Sequence, residues 1–165
     1  MTLTTVDQPR TTSRPAAVVL GGVGLLFTGL FSGFLLCVLV LENSLRAGNA
    51  SVYTQVRLIE LDSLDKLASA TLIPALVSTA VVAILARGNN RWLLVALALL
   101  VVVFAVTLAV NLPINGDQAD WSVQSPPSDW ATVRDHWQIA HVVRTVAAIA
   151  AFGSLIVAGL TRKRA

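Results

Sequence analysis

The chain has 165 residues, of which 55% are hydrophobic and only 13% charged, with a formal net charge of +3. Its mean hydropathy is +0.73. Too few charges are present to cover a soluble globule of this size, which places the chain among membrane proteins as a single domain. A modest positive charge carried at the ends of apolar segments orients a protein in a bilayer and gives no reason to expect a nucleic-acid partner.

Residues 1–15 are polar, with Arg10 and Arg14, and read as a disordered cytoplasmic N-terminus. The apolar stretch Ala16–Leu41 follows. It is far longer than the 7–15 residues of a signal-peptide core and no A-x-A site follows it, so it reads as an uncleaved span. It holds a Gly29-x-x-x-Gly33 pair, whose small residues let another helix approach, within the chain or in a homo-oligomer. Cys37, the only cysteine, can form no internal disulfide and is expected to pack against neighbouring helices.

Between this span and the next, Val52, Val56, Ile59 and Ser63 follow helical spacing among Gln55, Arg57, Glu60 and Asp62. Ser51–Lys66 therefore reads as an outward extension of the second helix, capped near Ser51. The second span, Leu67–Ala86, contains Pro74, a kink site that the hydroxyls of Thr71, Ser78 and Thr79 can repair. The third, Trp92–Val110, runs into Asn111-Leu112-Pro113-Ile114-Asn115, where proline is expected to end the helix. Ser128 or Asp129 is a candidate cap for a fourth helix over residues 129–161, about 50 Å long, whose membrane part is about 139–160. Its first turns are expected to project outward. Residues 162–165 form a basic cytoplasmic tail.

The expected fold is all-α: an integral membrane four-helix bundle over residues 16–161, with spans about 16–41, 67–86, 92–110 and 139–160. The second and fourth helices extend beyond the membrane on the outer side. Arg10, Arg14, Arg87, Arg91, Arg162, Lys163 and Arg164 share their segments with one acid, Asp7, while the other eight acids lie in the two remaining loops and their helix extensions. The positive-inside rule then puts both termini in the cytoplasm of a multi-pass cell-membrane protein.

Charge inside the spans is confined to the fourth. Trp130, Arg134, Trp137, His141 and Arg144 are spaced by four, three, four and three, and fall within an arc of about 80°. This stripe continues into Ala148, Ala151 and Leu155, the hydrophobic floor of a shallow pocket open to the outside. Asn111 and Asn115 supply the opposite wall. Each residue also has a plainer reading: tryptophans anchor at interfaces, arginines snorkel to headgroups, asparagines cap helix ends, and a histidine can bond a backbone carbonyl. His136 and His141 lie about 140° apart and cannot share a metal. One histidine with Glu60 or Asp65 is a poor ligand set, so no metal is expected. No phosphate loop, haem motif or nucleophile elbow is present.

The motif N-L-P-I-N at 111–115 with W-x-x-x-R-x-x-W-x-x-x-H-x-x-R at 130–144 resembles the anthrone oxygenase-like family of small four-span membrane proteins. The likeness extends through the layout from Ala16 onward. It implies oxidation of an anthrone to an anthraquinone by molecular oxygen without a bound cofactor. With that chemistry, His141 is the expected base, and Arg144 and Arg134 support the anion. Trp130 and Trp137 stack on the rings, and Asn111 and Asn115 bind ring oxygens. The implied partners are membrane lipids and an apolar aromatic small molecule. The competing reading is a non-catalytic membrane protein that binds a lipid or quinone-like ligand or serves as an assembly subunit. A transporter is disfavoured, because the first three spans carry no internal Asp, Glu or Lys.

Overall fold

A computed structural model describes residues 13–87 and 90–161. Most of the predicted disordered segment, the middle of the Arg87–Arg91 turn and the basic tail lie outside those residues. The architecture is an all-α bundle: α1 (Ser13–Leu45), α2 (Ala50–Leu85), α3 (Arg91–Val106), a five-residue π-helix (Thr107–Asn111), α4 (Leu112–Ala119) and α5 (Trp130–Leu160). Four continuous helical stretches, Pro15–Leu45, Ala50–Leu85, Arg91–Ala119 and Trp130–Leu160, are long and apolar enough to cross a membrane. α1 lies between α2 and α5, and α3 between α5 and α2, so the helices close a ring in chain order. Short connections make such neighbours antiparallel.

Solvation is inverted relative to a soluble bundle. Val19, Leu26, Ile73, Val77, Ile84 and Val146 face outward, while Glu42, Arg57, Glu60, Arg144 and His141 are buried. Lipid solvates apolar side chains as well as the core does, so polar groups are what the interior must accommodate. The apolar core sits below them: Phe31, Leu35, Leu72, Leu100, Val103, Ala148 and Ala151. Leu155 belongs to a second cluster nearer the opposite end. Buried hydroxyls bond back into their own helices, as Thr28 does to Gly24 O and Ser32 to Thr28 O, both at 2.7 Å.

Several local expectations are corrected. α1 begins at Ser13, inside the segment expected to be disordered. α2 is one helix of 36 residues, about 54 Å long, and its cap is Asn49, which accepts from Val52 N at 3.0 Å, instead of Ser51. Its inward face is Tyr53, Thr54, Arg57 and Glu60, while Val52 and Ile59 are exposed. Cys37 is exposed, not packed away between helices. Gly29 packs within the chain: a methyl group there would lie 2.9 Å from the Phe152 ring on α5, whereas one at Gly33 would meet nothing within 4 Å.

Pro113 does not end the third span. The helix widens over Thr107–Asn111, with Leu112 N bonding to Thr107 O, and continues through α4 with Pro113 in its first turn. The wide turn immediately before Pro113 is where the helix departs from the regular i to i−4 bonding that a proline interrupts. The wide turn also rotates the residues beyond it. The buried face Leu93, Ala96, Leu100, Val103 would continue in an unbroken α-helix to Val110 and Ile114; instead Asn111, Asn115 and Gln118 are buried.

Candidate functional site

Three helical faces with the same four-three spacing meet at the end of the bundle that carries Glu42. α2 contributes Tyr53, Arg57 and Glu60; the third span contributes Asn111, Asn115 and Gln118; α5 contributes Arg134, Trp137, His141 and Arg144. At their centre is Arg57, only 3% exposed. Its Nε donates to Gln118 Oε1 at 2.7 Å, its Nη2 to Asn115 Oδ1 at 2.6 Å, and its Nη1 to Glu60 Oε2 at 2.9 Å and Glu42 Oε1 at 3.4 Å. The guanidinium carbon lies 4.0 Å over the Trp137 ring. A buried cation is tolerable only when paired and hydrogen-bonded, and Arg57 meets both conditions, with an acceptor at each of its three nitrogens.

Above Arg57 the network reaches the end of the bundle. Gln118 Nε2 donates to Tyr53 OH at 3.4 Å. Gln138 Nε2 donates to Glu42 O at 3.0 Å and Oε2 at 3.3 Å. Arg46 donates to Gln138 and pairs with Asp135 at 3.0 Å. This layer covers the site toward the end of the bundle, where the open, shallow pocket expected from the stripe would lie; the recess is bordered at its side by Ile73, Leu108 and Leu112, which are exposed on the outer surface.

Below this layer lies a cavity of about 200 Å³. Phe31, Phe34 and Phe104 give it aromatic walls; Arg57, Glu60, Asp65, Asn115, Trp137, His141 and Arg144 give it polar ones. Trp137 and His141 are stacked, with centroids 4.7 Å apart and planes 9° from parallel, so Arg57, the indole and the imidazole form one pile. Trp137 is fixed from both sides: its Nε1 donates to Asn115 Oδ1 at 2.7 Å and its carbonyl accepts from Asn111 Nδ2 at 3.3 Å. Asn115 Nδ2 in turn donates to both oxygens of Asp65 at 3.1 Å.

His141 is held by two bonds that together specify its tautomer. A carbonyl can only accept and a guanidinium can only donate. Nε2 therefore donates to Leu35 O at 2.9 Å, and Nδ1 accepts from Arg144 Nη2 at 2.9 Å. Arg144 Nη1 donates to Thr107 Oγ1 at 3.1 Å, at the first residue of the π-helix. Three buried polar atoms here have no partner among the described residues: Glu60 Oε1, Arg144 Nε and Asn111 Oδ1. Glu60 and Arg144 line the cavity; Asn111 does not.

Of the residues expected from sequence, Trp137, His141, Arg144 and Asn115 are brought together on the cavity. Asn111 stands one bond behind Trp137. Trp130 and Arg134 lie outside the lining: the Trp130 ring is 5.6 Å from that of Tyr53, and Arg134 sits 4.9 Å over Trp130 while bonding Asp135 at 3.0 Å. Arg57, Glu42, Gln118 and Tyr53 were not legible as site residues, although for all but Glu42, which lies on α1, the four-three spacing on α2 and the third span was the available signal.

A family model described as anthrone oxygenase matches residues 65–154. No curated protein and no solved structure matches the chain. The matched stretch covers more than half of the sequence, though less than the likeness from Ala16 onward; it contains Asp65, both asparagines and the whole α5 stripe, and stops short of Arg57 and Glu60. With four helices of membrane-crossing length and the stripe of α5 turned into the bundle, the chain belongs to the anthrone oxygenase family.

Proposed function

We propose that this protein uses molecular oxygen, without a bound cofactor, to oxidise a planar phenolic or similarly apolar substrate in the cavity beneath Arg57. The observation that carries this reading is the meeting, in one aromatic-walled space, of the Trp137–His141 pile with Arg144, whose Nε–H has no partner among the described residues. An anthrone has an acidic methylene, and its deprotonation gives an electron-rich, phenolate-like anion that oxygen attacks directly. Such an anion needs a flat apolar slot and a fixed cation facing its oxygen.

Arg144 is the group that faces that oxygen. His141, by accepting from Arg144 Nη2, aims the guanidinium; Asn115 and Asn111 hold Trp137, and both ends of the Asn115 amide are already used inside the protein. The cavity volume of about 200 Å³ exceeds the roughly 150 Å³ that accommodates one benzene ring in an engineered apolar cavity. Three fused rings fit by widening it toward Ile73, Leu108 and Leu112, lining residues that are themselves exposed on the lipid-facing surface. An apolar substrate would reach the site through that side, from the membrane. In this reading the protein lies in the cell membrane with both termini cytoplasmic, and the Glu42–Arg57 end faces outward.

The test is oxygen uptake by purified, metal-analysed protein in detergent with candidate anthrones, alongside Arg144→Met. Uptake by the wild type that falls about 10²–10³-fold in the variant supports the reading; no uptake with any phenolic substrate overturns it. A second reading, a subunit that binds a quinone-like ligand without turnover, is favoured by one observation: both ring nitrogens of His141 are already bonded. It predicts ligand binding with no oxygen consumed.

A further inference from the structure

The expected base, His141, offers no lone pair to the cavity: Nε2 carries the hydrogen that Leu35 O accepts, and Nδ1 is taken by Arg144. A base is still required, and the cavity supplies two carboxylates. Asp65 is half-buried, and both of its oxygens accept from Asn115. Glu60 is different. It is 5% exposed and lines the cavity; Oε2 is tied to Arg57, while Oε1 has no partner. An unpartnered carboxylate oxygen in a buried site is costly unless a ligand completes it.

From this geometry we infer that Glu60 is the catalytic residue that accepts the substrate's proton. The inference rests on the oxygenase reading above and specifies its first step. Glu60 Oε1 and Arg144 Nε, one an acceptor and one a donor, are buried atoms of lining residues with no partner among the described residues. They suit a ligand with an acidic C–H or O–H at one end and an oxygen that gains negative charge at the other. For an anthrone, the C–H bond breaks with its electron pair left on carbon, and the proton moves to Oε1. The carbanion, delocalised onto the oxygen facing Arg144, is oxidised by molecular oxygen, the co-substrate. A C–O bond forms, the proton returns to the terminal oxygen, and loss of water from the hydroperoxide leaves the ketone. The methylene and one O2 become a carbonyl and one water. Arg57, fixed by its three other bonds and the Trp137 ring, holds Oε2 so that Oε1 keeps its position.

The deprotonation step can be read without oxygen, as the enzyme-catalysed exchange of the anthrone methylene into heavy water under anaerobic conditions, followed by mass spectrometry. Glu60→Gln, close in shape and unable to take a proton, should lose about 10²–10⁴-fold in exchange and in oxygen uptake alike. Asp62→Asn removes an exposed carboxylate of the same helix that lies outside the lining, and should change exchange less than threefold. Glu60→Asp keeps the charge but withdraws it by one methylene; it should retain partial exchange, and it serves as the test if Glu60→Gln fails to accumulate folded. Wild-type exchange in Glu60→Gln or in Glu60→Asp overturns the inference, as does exchange lost in His141→Ala but kept in Glu60→Gln. Wild-type protein that neither exchanges nor takes up oxygen overturns the oxygenase reading together with this step; exchange and uptake that survive Glu60→Gln overturn the step alone.

Discussion

Two recesses of the bundle differ in kind, and the larger is the chemically plainer. Near the Arg87–Arg91 end, a cavity of about 1100 Å³ is lined by Gly21, Gly22, Leu25, Val82, Leu93 and Leu155 among others. Its size follows from small side chains where helix ends diverge. Its amide, Asn90, is already used: Oδ1 caps α3 by accepting from Trp92 N at 3.1 Å, and Nδ2 donates to Ala158 O at 3.2 Å. The recess at the Glu42 end is about a fifth as large, yet it gathers two arginines, two carboxylates and a histidine, all but Asp65 buried. In a lipid environment empty apolar space is inexpensive and buried charge is not. The buried charges, therefore, and not the volume, mark the place where the fold gives up stability for function.

The sharpest way to break that contrast is at Arg57. Arg57→Met leaves Glu42 and Glu60 without their shared cation and should destabilise the protein by about 3–5 kcal/mol, read as a large fall in thermal unfolding temperature in detergent or as failure to accumulate. Gly22→Ala in the larger recess, where an added methyl meets nothing within 4 Å, should shift stability by no more than about 1 kcal/mol, in the stabilising direction expected for Gly→Ala in a helix. Comparable losses at both sites would show that the polar layer is no more costly to disturb than the open end. Next in size, Arg144→Met should cut oxygen uptake about 10²–10³-fold with little change in unfolding, whereas Arg91→Met at the larger recess should leave uptake unchanged.

A smaller effect separates packing from chemistry along α1. Gly29→Ala forces a methyl onto the Phe152 ring and should cost about 1–3 kcal/mol, while Gly33→Ala should be neutral or slightly stabilising. The smallest effect is expected at Arg134. Its carboxylate partner Asp135 is adjacent in sequence and 44% exposed, and it lies outside the cavity lining. Arg134 itself is 8% exposed and sits over Trp130, so Arg134→Ala should cost about 1 kcal/mol of stability, and should change uptake by less than threefold. A loss of a hundredfold in uptake would instead extend the site upward to Trp130 and return Arg134 to the machinery.

How much of this could be read from residues alone differs by helix. On α5 the stripe was legible because around His141 and Arg144 the outward neighbours, Ile139, Val142, Val143 and Val146, are apolar, which leaves one polar face to turn inward. On α2 the same spacing was obscured. Tyr53, Arg57 and Glu60 alternate with Gln55, Asp62 and Lys66, and an isolated helix does not say which polar face meets protein. By the rule for soluble helices the apolar positions Val52 and Ile59 would mark the inward face; here they are exposed, and the buried face is the polar one. The rotation at Thr107–Asn111 was also hidden, because a π-turn depends on how the third span packs against α5 and not on a recognisable local signal.

The amino-acid order by itself determined the four apolar helices, the all-α class and the grouping of Trp137, His141 and Arg144, for these follow from hydropathy and a period of 3.6 residues. Only the tertiary structure decided what those groups do to one another. Arg57 finds Asn115 and Gln118 58 and 61 residues away, His141 finds Leu35 106 residues away, and Glu60 is left with one free oxygen. Hydrogen-bond partners so distant in the chain are assigned by helix packing, and it is their assignment that closes the imidazole and opens the carboxylate.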